Sequence, residues 1–175
     1  MKMQALALGL SLLLISTISA AGGTWELKDA PSGVGAKWVA EVKNGDGDTL
    51  KVYRQIGRSG YEAYAELTLA SGQKFSDQMP LYQIDSGKVE DAEVIKRLGE
   101  TMNRNWASLE KNKAKWRIWT SPQKTIDTNS DLAPWIKGNN LIIKYKNHKN
   151  QEKKSTFSLK GSGKAIKTAI SGSFQ

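Results

Sequence analysis

The sequence predicts a mainly β fold of the α+β class, in which antiparallel strands form a sandwich or barrel-like sheet with a mid-chain helix and a C-terminal helix. Short runs in which apolar and polar residues alternate recur along the chain, separated by Gly, Asn, Asp and Ser, and such runs are typical of antiparallel strands. Only two stretches have helical spacing. Since no repeat or low-complexity linker divides residues 22–175, we expect them to form a single β-rich domain.

Residues 1–21 have the composition of a secretion signal. Lys2 supplies a positive charge, residues 5–14 are almost all small or apolar, and residues 19–21 are Ser-Ala-Ala, which suits signal peptidase. The apolar run is too short to cross a bilayer comfortably, so a retained anchor is the weaker alternative. We therefore expect cleavage near Ala21, a periplasmic or secreted location, and no transmembrane span in the mature form.

Alternating runs predict the strands in the first half of the chain. The runs cover residues 37–43, 49–56, 61–70, 73–77 and 79–85. Residues 44–48, Asn-Gly-Asp-Gly-Asp, predict a hairpin turn rather than a calcium loop, because the further oxygen ligands of a calcium loop are missing. Pro80 cannot donate a hydrogen bond to a neighbouring strand, so the last run is expected to lie at an edge or to begin irregularly.

Residues 90–104 predict the mid-chain helix. Three carboxylates occupy its first turn, where the helix dipole favours negative charge. The apolar residues that share one face are Val94, Ile95, Leu98 and Met102.

A strand is predicted around residues 116–120, after this helix. Its alternation places Trp116 and Ile118 towards the core. Trp119 is then the tryptophan that faces solvent.

Residues 139–172 predict a closing unit of strand, turn, strand and helix. Alternation over 141–145 and around 157–159 predicts an antiparallel hairpin with a long basic tip. Helical spacing follows over residues 165–170, and Ser162 is expected to be the N-cap of this C-terminal helix.

Positive charge is concentrated in the second part of the chain. Residues 22–110 carry 11 Lys or Arg against 14 Asp or Glu, whereas residues 111–175 carry 14 against 3. Such asymmetry makes one face attractive to anions. The lysines expected to form this binding face are Lys144, Lys146, Lys149, Lys153, Lys154, Lys160, Lys164 and Lys167.

The partner predicted for this basic face is an anionic component of the cell envelope, either lipopolysaccharide or a phospholipid headgroup, or else an acidic protein. Export argues against nucleic acid. The alternative is that the lysines only keep the protein soluble and prevent pairing between sheet edges. The sequence therefore predicts an envelope interaction protein and leaves the solubility alternative open.

The composition argues against catalysis. A chain without cysteine has no thiolate nucleophile, and its one histidine, His148, lies in the lysine-rich hairpin tip, where a solvated turn residue is favoured over a metal ligand or a member of a serine–histidine relay. We expect no enzyme activity, no cofactor and no metal. Two alternatives stay open: a carrier of a small apolar ligand, lined by aromatic residues, and a cell-wall sugar hydrolase, which needs two carboxylates across a cleft. The hydrolase carboxylates would come from Asp85, Glu90, Asp91 and Glu93.

Four segments resemble the invasion-associated locus B family of exported bacterial proteins. They are Trp25, residues 79–85 (MPLYQID), residues 141–143 (LII), and residues 157–161 (FSLKG) leading into Ala165 and Ile166. The chain would be a cysteine-free variant of that family. The resemblance implies a compact, β-rich periplasmic or cell-surface protein, from a family in which some members are linked to host-cell entry, and it assigns no functional residue.

Overall fold

The computed structural model describes residues 23–30, 36–57, 60–121 and 130–171. The predicted secretion signal over residues 1–21 lies outside the described residues. Within the described ranges, no helix combines the length and the apolar character that a membrane span needs.

Ten strands and three helices occur in the described residues, so the predicted mainly β, α+β fold is confirmed. The strands are β1 (Glu26–Asp29), β2 (Trp38–Lys43), β3 (Thr49–Gly57), β4 (Gly60–Thr68), β5 (Leu81–Ile84), β6 (Glu90–Asp91), β7 (Ala107–Leu109), β8 (Lys113–Ser121), β9 (Asn140–Lys146) and β10 (Glu152–Ser158). The helices are α1 (Ala92–Thr101), α2 (Ala133–Lys137) and α3 (Ser162–Ser171).

The strands form two antiparallel sheets. The large sheet has the order β1-β2-β3-β4-β8-β7, and the small sheet has the order β10-β9-β5-β6. The hairpin turn predicted over residues 44–48 joins β2 to β3, and the Asn44 side chain accepts hydrogen bonds from the backbone N–H groups of Asp46 and Asp48. Pro80 directly precedes β5, which lies between β9 and β6, so the edge position expected as one of the two alternatives is wrong.

One large buried cluster lies between the large sheet and a second layer. Tyr82 of the small sheet contacts Trp116 of the large sheet and Trp135 of α2, with ring centroids 5.5 and 5.6 Å apart. Ile166 and Ile170 of α3 belong to the same cluster, so the second layer consists of the small sheet together with α2 and α3. The fold is therefore a two-layer, sandwich-like structure with one main core.

The segment between β4 and β5 joins the two layers along one side. Phe75 N–H donates to the Lys111 carbonyl, and Ser76 N–H donates to the Lys146 carbonyl, both within 2.9 Å. Phe75 forms an isolated bridge with Asn147. The strand predicted over residues 73–77 is therefore wrong, because its hydrogen bonds are divided between two sheets.

Helix α1 is shorter than predicted and presents its apolar face differently. Glu90 and Asp91 extend the small sheet as β6, and the Asp91 carboxylate caps the helix by accepting from Glu93 N–H at 2.8 Å. The residues on its apolar face are Val94, Leu98 and Met102, which are 42, 53 and 61 % exposed, and Ile95, which packs against the core. Most of this face thus remains in contact with solvent.

The orientation predicted for Trp119 is wrong. Ala63 of β4 pairs with Trp119, and Tyr64 pairs with Arg117, so Ile118 is an extra residue in β8. Such a bulge shifts the alternation by one position. Trp116, Ile118 and Trp119 are consequently all buried.

The closing unit has the predicted order, with two differences. Strand β10 begins at Glu152, which shortens the basic tip of the hairpin to residues 147–151. Ser162 is the first residue of α3 rather than its N-cap, because its buried hydroxyl donates to the Trp135 carbonyl at 2.8 Å. That bond ties α3 to α2.

Candidate basic site

Three of the predicted binding lysines lie on the outer face of the small sheet. Leu141, Ile143 and Tyr145 point into the core, as the alternation predicted, and Lys144 and Lys146 therefore point away from it. Lys154 of β10 lies directly opposite Lys144 of β9 in the register, so these two cations share that face. Like charges in directly opposed positions destabilise a strand pair.

Three more predicted lysines lie in the same layer, beyond β10. Lys160 occupies the turn before α3, and Lys164 and Lys167 are exposed on that helix. Since α3 buries its apolar residues against the inner face of the large sheet, its exposed side chains point away from the large sheet, as those of Lys144 and Lys154 do. We call these six lysines of the second layer the basic side: Lys144, Lys146, Lys154, Lys160, Lys164 and Lys167.

The two remaining predicted lysines line a cleft at the tip of the hairpin. Lys149 lies in the turn, and Lys153 is opposite Tyr145, on the core-facing side of β10. We call this the basic cleft; it has a volume of about 500 Å³. Its lining consists of Asp46, Asp48, Gly72, Gln73, Lys74, Tyr145, Asn147, His148, Lys149, Gln151, Lys153 and Lys154.

None of the eight predicted lysines forms an ion pair with another described residue. Residues 140–171 contain one carboxylate, Glu152, against these eight lysines. Asp48 of the basic cleft already accepts hydrogen bonds from Ala70 N–H at 2.8 Å and from the Ser155 hydroxyl. The positive charge around the hairpin and α3 is therefore largely unneutralised within the described structure.

The four carboxylates of the hydrolase alternative are distributed over separate contacts. The Asp85 carboxylate accepts from the N–H groups of Asn139 and Asn140, at 3.0 and 2.9 Å, and these bonds hold its pKa below the usual value. Asp91 caps α1. The side chain of Glu93 forms an ion pair with Lys96.

Glu90 is the one of these four that lines a cleft. This second cleft lies near the opposite end of β9, between α1, β5, β8 and α2, and it has a volume of about 540 Å³. We call it the aromatic cleft. Its lining consists of Tyr82, Ile84, Gly87, Lys88, Glu90, Ile95, Leu98, Trp106, Arg117, Ile118, Trp119, Thr120, Asp131, Pro134 and Trp135.

Arg117 and Trp106 form one wall of the aromatic cleft, and Glu62 lies behind them. The guanidinium of Arg117 lies 3.3 Å from the centroid of the Trp106 ring and 3.6 Å from the Glu62 carboxylate. Glu62 also accepts from the hydroxyl of Tyr64 at 2.6 Å and from the indole N–H of Trp106 at 3.2 Å. Burial lowers the pKa of Arg117 and raises that of Tyr64. The arrangement fixes Trp106 beside the cleft.

Close packing of a glycine also holds Trp106 in place. A side chain on Gly99 of α1 would approach the Arg104 carbonyl within 2.8 Å and the Trp106 Cβ within 3.0 Å. The contact explains why a residue that weakens a helix occupies this position.

Both clefts contain residues that the sequence did not indicate. Lys74 joins the basic cleft because the segment after β4 crosses between the sheets. The lining of the aromatic cleft is spread from Tyr82 to Trp135, and only the abundance of tryptophan hinted at it. Within the described ranges, no group of three His, Asp or Glu side chains is arranged to hold a metal ion.

No family model matches this chain, and neither curated proteins nor solved structures give a significant match.

Proposed function

We propose that the chain is an exported protein of the cell envelope that binds an anionic surface through its basic side. The observation that carries the proposal is the presence in the second layer of six lysines without an ion-pair partner among the described residues. The secretion signal predicted from the sequence supports the location, and so does the resemblance to the invasion-associated locus B family.

The chemistry of lysine favours a surface with many dispersed negative charges. A lysine ammonium is a compact point charge, which attracts anions over long distances with little geometric selectivity. The basic side extends over two strands, a turn and a helix, so it suits many dispersed charges, as in lipopolysaccharide or anionic phospholipid. Anions bound there would also relieve the repulsion between Lys144 and Lys154.

Vesicle binding tests the proposal. The purified mature protein should sediment with phosphatidylglycerol vesicles at low salt, should be released as salt screens the charges, and should not sediment with phosphatidylcholine vesicles. Each basic residue near an anionic membrane contributes about 1 kcal/mol. Replacing Lys144, Lys154, Lys164 and Lys167 by Gln should therefore weaken binding roughly 100-fold or more.

A matched variant controls for net charge. Replacing Lys28, Lys51, Lys88 and Lys113 by Gln removes the same charge from lysines that are paired with glutamates. This control should bind nearly as tightly as the unaltered protein. Equal losses in the two variants would show that binding follows net charge and not the basic side, and no retention on anionic vesicles at low salt would leave solubility as the role of the lysines.

The export component has its own test. Expression of the full chain in a bacterium, followed by fractionation and mass spectrometry, should place the protein in the periplasm or medium with a new N-terminus near residue 22. Retention of residues 1–21 would contradict it. Assay of the same material on peptidoglycan is expected to show no turnover, and turnover that Asp85→Asn abolishes would instead support the hydrolase alternative.

A further inference from the structure

The aromatic cleft differs from the basic cleft in the chemistry of its wall. Apolar side chains of the large sheet, the small sheet, α1 and α2 all contribute to it. Trp119 and Trp135 are only 5 and 2 % exposed, so they form the floor, whereas Trp106 and Leu98 are accessible at the sides. A concave, mainly apolar site of several hundred Å³ with a few polar groups is the usual form of a small-molecule site.

Charge in the aromatic cleft is balanced, in contrast to the basic cleft. Its two cations each have a partner: Lys88 lies 3.4 Å from Glu90, and Arg117 lies 3.6 Å from Glu62. Among the described residues, the lining has two basic and two acidic side chains, which also balance in number. Such a lining gives no net attraction for an anion inside the cleft, and it favours an uncharged occupant.

Helix α1 adds an exposed apolar wall. Leu98 lines the cleft although 53 % of it is exposed, and it belongs to the apolar face of α1 that the sheet leaves uncovered. Apolar surface exposed beside a concave site indicates that an apolar group binds there.

We propose that the aromatic cleft binds the hydrocarbon chain of a single-chain amphiphile. The chain lies against Trp106, Leu98 and Ile95, above the buried tryptophans, and the head group stays at the polar rim formed by Lys88, Glu90 and Asp131. The site is independent of the basic side, and the inference holds whether or not that side binds an anionic surface.

Titration with n-alkyl maltosides of increasing chain length, below their micelle concentrations, tests the inference. Displacement of phenylnaphthylamine and the change in tryptophan fluorescence report binding. Because each buried methylene contributes about 0.8 kcal/mol, affinity should rise roughly fourfold per methylene until the cleft is filled, and then level off. Affinity that does not depend on chain length, or binding only above the micelle concentration, would overturn the inference.

Matched variants locate the site. Leu98→Glu places a charge in the cleft wall and should weaken binding at least tenfold, while the exposure of Leu98 keeps the cost in stability small. Ile56→Glu alters a residue that is 63 % exposed and does not line the cleft, and it should leave affinity unchanged. Met102→Glu, on the same helix face but outside the lining, separates a cleft from a surface docking face.

The outcomes are distinct. A loss confined to Leu98→Glu supports the cleft, whereas an equal loss in Met102→Glu shows that the amphiphile lies on the exposed apolar face of α1 and overturns the proposal. An alkyl sulfate should bind within a few fold of the maltoside with the same chain. A strong preference for the sulfate that disappears in the variant with four basic-side lysines replaced would assign the binding to the basic side instead.

Discussion

The outer faces of the two layers both carry cations, but the large sheet and the basic side differ in ion pairing among the described residues. On the large sheet four cations form ion pairs with glutamates, whereas the basic side has no ion pair among the described residues. The large-sheet pairs are Lys28 with Glu26 and Glu41, Lys51 with Glu41, Lys113 with Glu66, and Arg117 with Glu62. Net charge alone therefore does not indicate which surface is available to a partner.

The two layers differ in ion pairing because their carboxylates bind different groups. Around the second layer, three aspartates accept from backbone N–H groups: Asp85 at residues 139 and 140, Asp91 at the start of α1, and Asp48 at Ala70. A carboxylate used in this way stabilises a turn or a helix end. It is then not positioned to neutralise a lysine, and the lysines of the basic side keep their charge for an external anion.

The largest expected effect on stability comes from removing Glu62, the ion-pair partner of Arg117 on the large sheet. Glu62 is 6 % exposed and accepts from Tyr64 and Trp106 besides facing Arg117. Glu62→Ala removes the counter-charge of the half-buried Arg117 and leaves the Tyr64 hydroxyl and the Trp106 N–H without their acceptor, which costs about 2 kcal/mol in the free energy of unfolding. Urea denaturation measures the change. As a control, Glu26→Gln, at an exposed pair, should leave the unfolding midpoint unchanged, and similar midpoints for both variants would contradict the assigned difference.

Predictions from the sequence were confirmed where residues of a single strand or turn determine the local structure. Alternation over residues 141–145 predicted which side chains of β9 face the core, and residues 44–48 predicted the hairpin turn. Both depend on local chemistry: a strand has a period of two, and short polar side chains with glycine form tight turns. The orientation of Lys144 and Lys146 followed from the same rule.

Predictions from the sequence were wrong where contacts with a distant segment determine the local structure. The bulge at Ile118 exists because β8 pairs with β4 on either side of it, and this reversed the predicted exposure of Trp119. Residues 73–77 look like a strand, but they bond to two sheets. The aromatic cleft could not be predicted, because residues 82 to 135 meet there only after the layers pack.

A pH-dependent effect on stability comes from Asp85, whose carboxylate accepts hydrogen bonds from backbone N–H groups. Its pKa lies below the ordinary value of 3.8 because the N–H groups of Asn139 and Asn140 stabilise the charged form. The stabilisation is therefore fully present above the unfolded-state pKa and is lost as pH falls through the folded-state pKa. Asp85→Asn should lower the urea midpoint at neutral pH and make little difference in strong acid, where both side chains are uncharged. A difference in urea midpoint that stays constant from neutral pH to strong acid would show that the charge of Asp85 does not stabilise the fold.

The smallest expected effect on stability concerns Lys144, where one substitution should strengthen the fold and weaken binding to anionic vesicles. Lys144→Glu places an acid opposite Lys154, which replaces repulsion by attraction in a directly opposed pair and should raise the free energy of unfolding by about 0.5 kcal/mol. The same change removes two units of positive charge from the proposed binding surface, so sedimentation with anionic vesicles should weaken. Lys144→Gln, which removes the repulsion without adding an attraction, should give an intermediate result in both measurements. If solubility is the sole role of these lysines, stability still rises, but no vesicle binding exists to be lost. If stability falls, the opposed lysines are already neutralised in solution, and the contrast between the two layers is wrong.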